Sequence, residues 1–591
     1  MTALTEKQRL KALGEQEFPK YLWYFYACVI AAAAMVNLCS MIWAWWRRRK
    51  YSSMTTSTIT LRKGVVSSNR MPAAIISATR IVAFRWRIPS VDMTLLEVLL
   101  TITFMVIYFC FEWTNTLHYD DGLWGNRAGH LAAIQFPLIV ALSGKNNIIG
   151  MITGLGHEKL NLMHRVVSRI VLIMVWTHLV GTYFHWQTGG HRDERPWIYA
   201  SWIVAGLIAC ICYTFLVFLS WGPIRRRFYE RFYVMHMVLV TVIMICAMYH
   251  IHTDDVVNTV YASPYFWPSF IAWGIDRIAR LVRVLLLNSV FKLPKDLGQV
   301  ALVTSDTLLI TIKRHVPRGL TWRSGQHMFV AFPTLGPGQS HPFTIASVVE
   351  RDAREQELVF IARVREGFTR CLKDHVLEVG GACDVPIILD GPYGSPPDIT
   401  PFSTCVFIAG GSGVTFTLPR FEDLVNELQK NHACASRITF IWAINERAHM
   451  RWIAKRLTEI TSLVPSHVTL TVSIFVTSSP SPSRDSFESP PSTPTSEEDV
   501  EKKAVADDSD ESVSDLEEKL DRVSVSYGRP DIKKILELEV DVSQGPVSVD
   551  VSGPQSLIAA TRSALVSTFA GPLGVLKGAP TVQLNVEAFS M

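Results

Sequence analysis

Two strongly apolar stretches each carry a pair of histidines at the same interval: His164 and His178 in one, His236 and His250 in the other, fourteen residues apart in both. A neutral imidazole offers a nitrogen lone pair and is a natural axial ligand for haem iron. On an α-helix, fourteen residues at about 100° each return to within roughly 40° of one face and climb about 21 Å, which fits inside a hydrocarbon core of about 30 Å. Two such helices side by side would present two facing pairs, one near each leaflet. Ligation by two histidines leaves no open coordination position, which suits electron transfer better than oxygen binding. A satisfied core histidine or a proton relay in a transporter accounts for one intramembrane imidazole but poorly for two matched pairs. His157 and His185 fall at or beyond the membrane ends, and His252, sixteen residues from His236, falls on the opposite side of its helix.

The elements that must position these histidines can be read from composition. The chain has 591 residues, 49% of them hydrophobic, and a mean hydropathy of +0.22, so a large part is expected in lipid. Seven stretches approach the roughly 20 apolar residues a span needs: 21–46, 94–114, 126–143, 161–184, 200–220, 232–252 and 265–287, the last interrupted by Asp276, Arg277 and Arg280. Basic residues collect after the first span (Arg47 to Lys50), at the start of the fourth (Arg165, Arg169), after the fifth (Arg225 to Arg227) and at the end of the seventh. The positive-inside rule places these on the cytosolic side, the N-terminus outside, and everything after about residue 288 in the cytosol. A net charge of +5, with basic residues beside apolar runs, argues for membrane topology and against nucleic acid. The ten cysteines show neither a disulfide framework nor metal-ligand spacing. Arg127, Arg165 and Arg169 are candidates to neutralise haem propionates, or simply to set topology.

After residue 294 short strand-like runs separated by turn residues predict a small β-barrel to about residue 398. An apolar strand at Cys405–Ala409 then feeds Gly410-Gly411-Ser412-Gly413 and a helix through residue 430, with strands at 438–443 and 469–476 alternating with a helical stretch. This is the pattern of a doubly wound α/β domain, whose glycine turn and helix N-terminus attract phosphate. Residues 477–526, rich in Ser, Pro, Asp and Glu, are expected to form a disordered insertion. The expected domains are thus a short extracytoplasmic N-terminus (1–20), a transmembrane bundle (21–290), a β-barrel (294–398) and an α/β domain (400–591) carrying that insertion.

At His341-Pro342-Phe343-Thr344-Ile345-Ala346-Ser347, preceded by Gly325-Gln326-His327 and followed by Gly391-Pro392-Tyr393-Gly394 and the 410–413 turn, the chain resembles the fungal ferric reductase family, in one superfamily with the NADPH oxidases. The resemblance runs from the second span to the C-terminus. It implies a multi-domain membrane protein, an all-α seven-span haem-binding bundle followed by a cytosolic ferredoxin-reductase-like module. It further implies FAD held by His341, Pro342, Phe343, Thr344 and Ser347, with Gly367 and Thr369 at the pyrophosphate. NADPH is implied at Gly391, Pro392, Tyr393, Gly394, Gly410, Gly411, Ser412 and Gly413, with Ser552-Gly553-Pro554 closing over the nicotinamide. Ser552 stands where the family usually has Cys, and Arg447 or Arg529 is left to contact the 2′-phosphate. The chain ends Phe589-Ser590-Met591, and Phe589 is the ring expected to stack near the flavin. The paired histidines also match the family's ligands to two b-type haems.

The expected electron path is hydride transfer from NADPH to FAD, then single electrons to the inner haem (His164, His236), the outer haem (His178, His250) and an external acceptor. The resemblance makes that acceptor a ferric, or also a cupric, chelate, reduced at the plasma or vacuolar membrane before uptake by a separate permease system. One alternative is a superoxide-producing NADPH oxidase, a branch in which one histidine pair tends to lie a residue closer. Another, of a different class, is a seven-span transporter with a regulatory nucleotide domain.

Overall fold

The structure, a computed structural model, describes residues 17–52, 67–88, 93–114, 124–188, 200–252, 256–288, 297–314, 321–350, 355–478 and 523–587. Residues 1–16, most of the 477–526 stretch and Phe589 lie outside the described residues. The chain divides into two compact units.

In the first unit, drawn from residues 1–39 and 97–281, the described residues are mainly helical. Its helices are α1 (Phe18–Ser52), α2 (Leu95–Trp113), α3 (Trp124–Ala133), α4 (Phe136–Ser143), α5 (His157–Thr188), α6 (Ser201–Leu219), α7 (Tyr229–His252) and α8 (Val256–Leu287). Among the described residues, five of these are long and apolar enough to cross a membrane: Phe18–Lys50, Leu95–Trp113, His157–Thr188, Ser201–Leu219 and Tyr229–Ile251. The third expected span is two short helices. Pro137, in the first turn of α4, has no N–H to give and its ring opposes the carbonyl four residues back, so the helix stops and restarts around Gln135. The seventh expected span is one helix of 32 residues, but Asp276, Arg277, Arg280 and Arg283 lower its apolarity. Asp276 is buried and accepts from the Asn146 backbone N–H at 2.9 Å and side-chain amide at 3.1 Å.

In the second unit, residues 40–96 join residues 282–590. Hydropathy alone groups 40–96 with the membrane bundle; arginine donors explain its membership here. Arg47 donates to Pro401 O and Ser403 Oγ, Arg70 to Val575 O, and the buried Arg85 to the carbonyls of Leu565 (2.9 Å) and Val582 (2.5 Å).

After residue 296 seven antiparallel strands follow: β1 (Leu297–Thr304), β2 (Thr307–Arg314), β3 (His327–Ala331), β4 (His341–Thr344), β5 (Gln356–Arg363), β6 (Ala382–Pro386) and β7 (Ile388–Tyr393). They form a sheet in the order β5-β2-β1-β6 and another in the order β4-β3-β7. Alternation along β1 (Val300 and Leu302 inward) and β3 (Met328 and Val330 inward) closes both sheets over one core with Phe332, Phe360 and Leu389. Helix α9 (Phe368–Glu378) covers it.

A six-stranded parallel sheet comes next, built from β8 (Thr404–Gly410), β9 (Arg437–Ile444), β10 (Thr469–Val476), β11 (Val523–Tyr527), β12 (Val547–Ser552) and β13 (Val582–Glu587), in the order β11-β10-β9-β8-β12-β13. Every residue of β8 is buried, as expected of a central strand covered on both faces. On one face Phe407 packs with Phe421 of α10 (Val414–Gln429) and with Phe440; on the other Val406 and Ile408 meet Ile532, Leu536 and Ile558. Each such fully buried side chain contributes about 1.5–3 kcal/mol. β11 begins inside the stretch expected to be a disordered insertion: Val523-Ser524-Val525-Ser526 alternates at period two and pairs with β10. The insertion therefore ends earlier than residue 526.

Candidate redox cofactor sites

In the helical unit the four histidines meet as two pairs. The ring centroids of His164 and His236 are 6.4 Å apart, and those of His178 and His250 6.0 Å. Metal–imidazole bonds of about 2 Å on both sides of a planar macrocycle, plus roughly 1 Å from each ring nitrogen to its ring centre, require about 6 Å. Along their described residues α5 and α7 are not close-packed on each other; α5 packs on α3, α4 and α6, and α7 on α6. The rings thus approach across a gap between their helices.

Three of the four rings are oriented through Nδ1, by the carbonyl of Ile139 for His164 (2.9 Å), of Gly125 for His178 (2.8 Å) and of Trp202 for His250 (2.8 Å). A carbonyl only accepts, so Nδ1 carries the hydrogen and Nε2 keeps its lone pair for a metal. His236 Nδ1 is buried without a hydrogen-bond partner among the described residues. Ring spacing, tautomer and donor set fit two bis-histidine haems. Arg127 is buried and caps α2, its Nη1 donating to the carbonyls of Phe111, Glu112 and Thr114. Arg165 is half-buried beside His164, and Arg169 is exposed.

In the antiparallel module the residues expected at FAD come together. His341 stacks on Phe368 at 4.6 Å and 13°, joining the 341–347 motif to the first turn of α9. Gly367, at φ +90°, turns the chain into that helix, and Thr369 Oγ bonds back to Arg365. Phe343 packs on the core and Thr344 is buried. Ser347 accepts from Val359 N–H through Oγ and from Trp322 Nε1 through its carbonyl. Pro342 pairs with Phe329 across β3 and β4. Gly391-Pro392-Tyr393-Gly394, expected at NADPH, lies in this same sheet. Tyr393 stacks on His327 at 6.0 Å and donates to the buried Asp390 at 2.7 Å, while Gln326 donates to Gly394 O.

The 410–413 turn and Ser552-Gly553-Pro554, expected at NADPH, meet where β8 and β12 run side by side, at their C-terminal ends. Strands β9 to β11 extend to one side of β8, and β12 and β13 to the other. That reversal makes the crevice a topological switch point, where open α/β sheets bind ligands. Backbones approach so closely here that side chains are excluded. A Cβ on Gly413 would stand 2.2 Å from Ser552 O, one on Gly410 2.6 Å from Pro554 Cδ, and one on Gly553 2.9 Å from Gly410 Cα. Ser412 O accepts from Thr415 Oγ, and Trp442 Nε1 donates to Gly411 O at 3.0 Å. Ser552 is fully buried, and its hydroxyl is committed to Glu587 O at 3.0 Å. Arg447 comes after β9, next to the central strand, and Arg529 after the edge strand β11; both are exposed.

Several supports carried no sequence signal of their own. Arg420 on α10 and Asp550 on β12 form an ion pair at 2.5 Å, 3% and 1% exposed, with Asn585 also donating to Asp550. His449 is buried on Trp452 and reaches Asp306 at 3.3 Å, tying the turn between β1 and β2 to the nucleotide domain, and Trp452 Nε1 donates to Thr304 Oγ. The hydrogen bond with His449 holds the Asp306 carboxyl well below its ordinary range, helped by Thr307 and Thr304 and opposed by partial burial.

Comparison with known proteins agrees with this geometry. Residues 128–247 match the ferric reductase like transmembrane component, 293–397 an FAD-binding domain, and 402–566 the ferric reductase NAD binding domain. A "Probable ferric reductase transmembrane component" of Candida albicans is 26% identical over 497 residues, covering 80% of this chain and 68% of the relative. A "Ferric/cupric reductase transmembrane component 1" of the same species is 26% identical over 496 residues, 80% of this chain and 60% of the relative. "Ferric reductase transmembrane component 4" of Saccharomyces cerevisiae is 30% identical over 299 residues, 49% of this chain and 38% of the relative. The chain thus spans from over a third to about two thirds of these relatives' lengths. With three consecutive domain matches on the elements described above, it belongs to the ferric reductase family as an integral membrane protein with a transmembrane component, an FAD-binding domain and a ferric reductase NAD binding domain.

Proposed function

We propose that this chain is an NADPH-dependent metalloreductase, passing electrons from a cytosolic nicotinamide through FAD and two b-type haems to a ferric or cupric chelate on the far side of the membrane. The observation that carries the reading is the double imidazole pair, 6.4 and 6.0 Å between centroids, on a chain that also holds a glycine turn at a sheet switch point. When bound, flavin converts a hydride into single electrons and haem accepts them one at a time. The protein's residues then need only bind and orient. His164 and His236 hold the inner group, His178 and His250 the outer one; the 341–347 motif with Gly367 and Thr369 holds FAD. Gly410 to Gly413 and Gly553-Pro554 hold the nucleotide. Ser552, its hydroxyl turned to the backbone, positions the strand end. Gly391 to Gly394, sharing a sheet with the 341–347 motif, belong with the flavin. Arg447, one strand from β8, is better placed for the 2′-phosphate than Arg529, three strands away.

Seven spans complete the bundle in this reading, with the broken α3–α4 and the charged α8 buried among the five apolar helices, the N-terminus outside and the cofactor domains cytosolic. The plasma membrane, or the vacuolar membrane, is the proposed location, and an iron permease system the downstream partner in iron homeostasis. The relatives' printed names favour the metalloreductase over a superoxide-producing oxidase. NADPH-driven reduction of an Fe(III) chelate by cells expressing the chain, compared with superoxide release, tests this directly. Superoxide as the sole product would overturn it.

A further inference from the structure

The outer imidazoles are held by a device that occurs twice, on two different helices. His178 Nδ1 reaches the carbonyl of Gly125 on α3, and the residue four further along that helix is Gly129. His250 Nδ1 reaches the carbonyl of Trp202 on α6, and four residues further is Gly206. In an α-helix the Cβ of residue i+4 points back over residue i and covers its carbonyl from the side. Glycine removes the cover. A Cβ on Gly129 would stand 2.7 Å from His178 Nδ1 and 2.9 Å from its Cε1, and one on Gly206 2.5 and 2.8 Å from the same atoms of His250. Ordinary carbon contacts lie at about 3.5–4.0 Å. The rings cannot retreat without losing their carbonyl bonds. The inner pair is built otherwise: His164 bonds to Ile139 O, four residues before Ser143, and His236 Nδ1 has no hydrogen-bond partner among the described residues.

We propose that Gly129 and Gly206 are positioning residues of the outer site, opening the carbonyls of residues 125 and 202 to the ring N–H groups of His178 and His250 and so fixing each Nε2 toward the iron. This rests on the bis-histidine reading above. The helices themselves do not ask for glycine, since alanine is the better helix former. Gly274 on α8, where an added Cβ meets nothing within 4 Å, is the control.

The full chain is purified as wild type, Gly129→Ala, Gly206→Ala and Gly274→Ala, and haem per chain and low-spin haem spectra are compared. Two haems are expected in wild type and Gly274→Ala, and a fall toward one, with the inner signal retained, in the other two variants. If Gly129→Ala does not accumulate, His178→Ala is compared with His178→Ala/Gly129→Ala. The added methyl group then fills the space the imidazole vacated, so equal yields and the same single-haem spectrum support the assignment. A double variant that fails where His178→Ala folds would overturn it. So would Gly129→Ala and Gly206→Ala proteins that keep two haems with wild-type spectra. Wild-type protein without haem would instead remove the reading on which the assignment rests.

Discussion

The two proposed cofactor regions are built from opposite materials. In the helical unit the proposed chemistry rests on four side chains, and the backbone serves them with carbonyls that orient three of the rings. In the nucleotide crevice the backbone itself is the proposed site: Gly410, Gly413 and Gly553 bring main chain against main chain, and the Ser552 hydroxyl is turned away to Glu587. An imidazole site should fail when a side chain is removed. A backbone cradle should fail when one is added.

The largest expected effect is at the membrane site. His250→Ala should abolish the outer haem spectrum and lower chelate reduction by more than about 100-fold, since it removes one of the two imidazoles proposed to hold the outer haem; difference spectra of the purified variant check this. In the crevice a single added methyl should do large damage. Gly413→Ala places a Cβ 2.2 Å from a backbone oxygen that cannot rotate away, so KM for NADPH should rise at least about tenfold and the domain lose about 1–3 kcal/mol to overpacking. Steady-state kinetics and thermal unfolding read the two effects separately, and the haem spectrum should not change. Removing a side chain at the same place should do far less: Ser552→Ala deletes one hydrogen bond, worth about 1 kcal/mol of stability, with kcat within a few-fold of wild type.

Side-chain electrostatics do matter in the second unit, where the antiparallel module meets the nucleotide domain, and there the sign is fixed. The folded-state pKa of Asp306 lies below its ordinary value of 3.8, chiefly through the hydrogen bond from His449. Its contribution to stability is therefore fully present above that value and is lost as pH falls below about 4 toward the folded pKa. Thermal melts of wild type and Asp306→Asn should differ at pH 5 and converge as pH falls below about 4. A difference that grows below about pH 4 would contradict the assignment.

The imidazole pairs are legible in the sequence, because helical periodicity converts a spacing of fourteen into a shared face without reference to any other element. The glycine turn at 410–413 is legible for the same reason: strand, turn and helix are adjacent in the chain. Gly129 and Gly206 are not, since each acquires meaning only from a histidine on another helix. Arg420 and Asp550 are 130 residues apart and look like ordinary surface charges until the sheet brings them together. The break in the third span is written in Pro137 but outweighed by the apolar run around it, and β11 is hidden by the polar composition of the stretch preceding it.

The most direct test of electron flow is spectroscopic. The purified full-length protein is loaded with FAD under anaerobic conditions, NADPH is added, and the haem absorbance is monitored before and after an Fe(III) chelate is supplied. The expected result is two b-type haems per chain, reduced by NADPH only when FAD is present and reoxidised by the chelate. A colourless protein, or haems that NADPH with FAD leaves oxidised, would contradict this electron path.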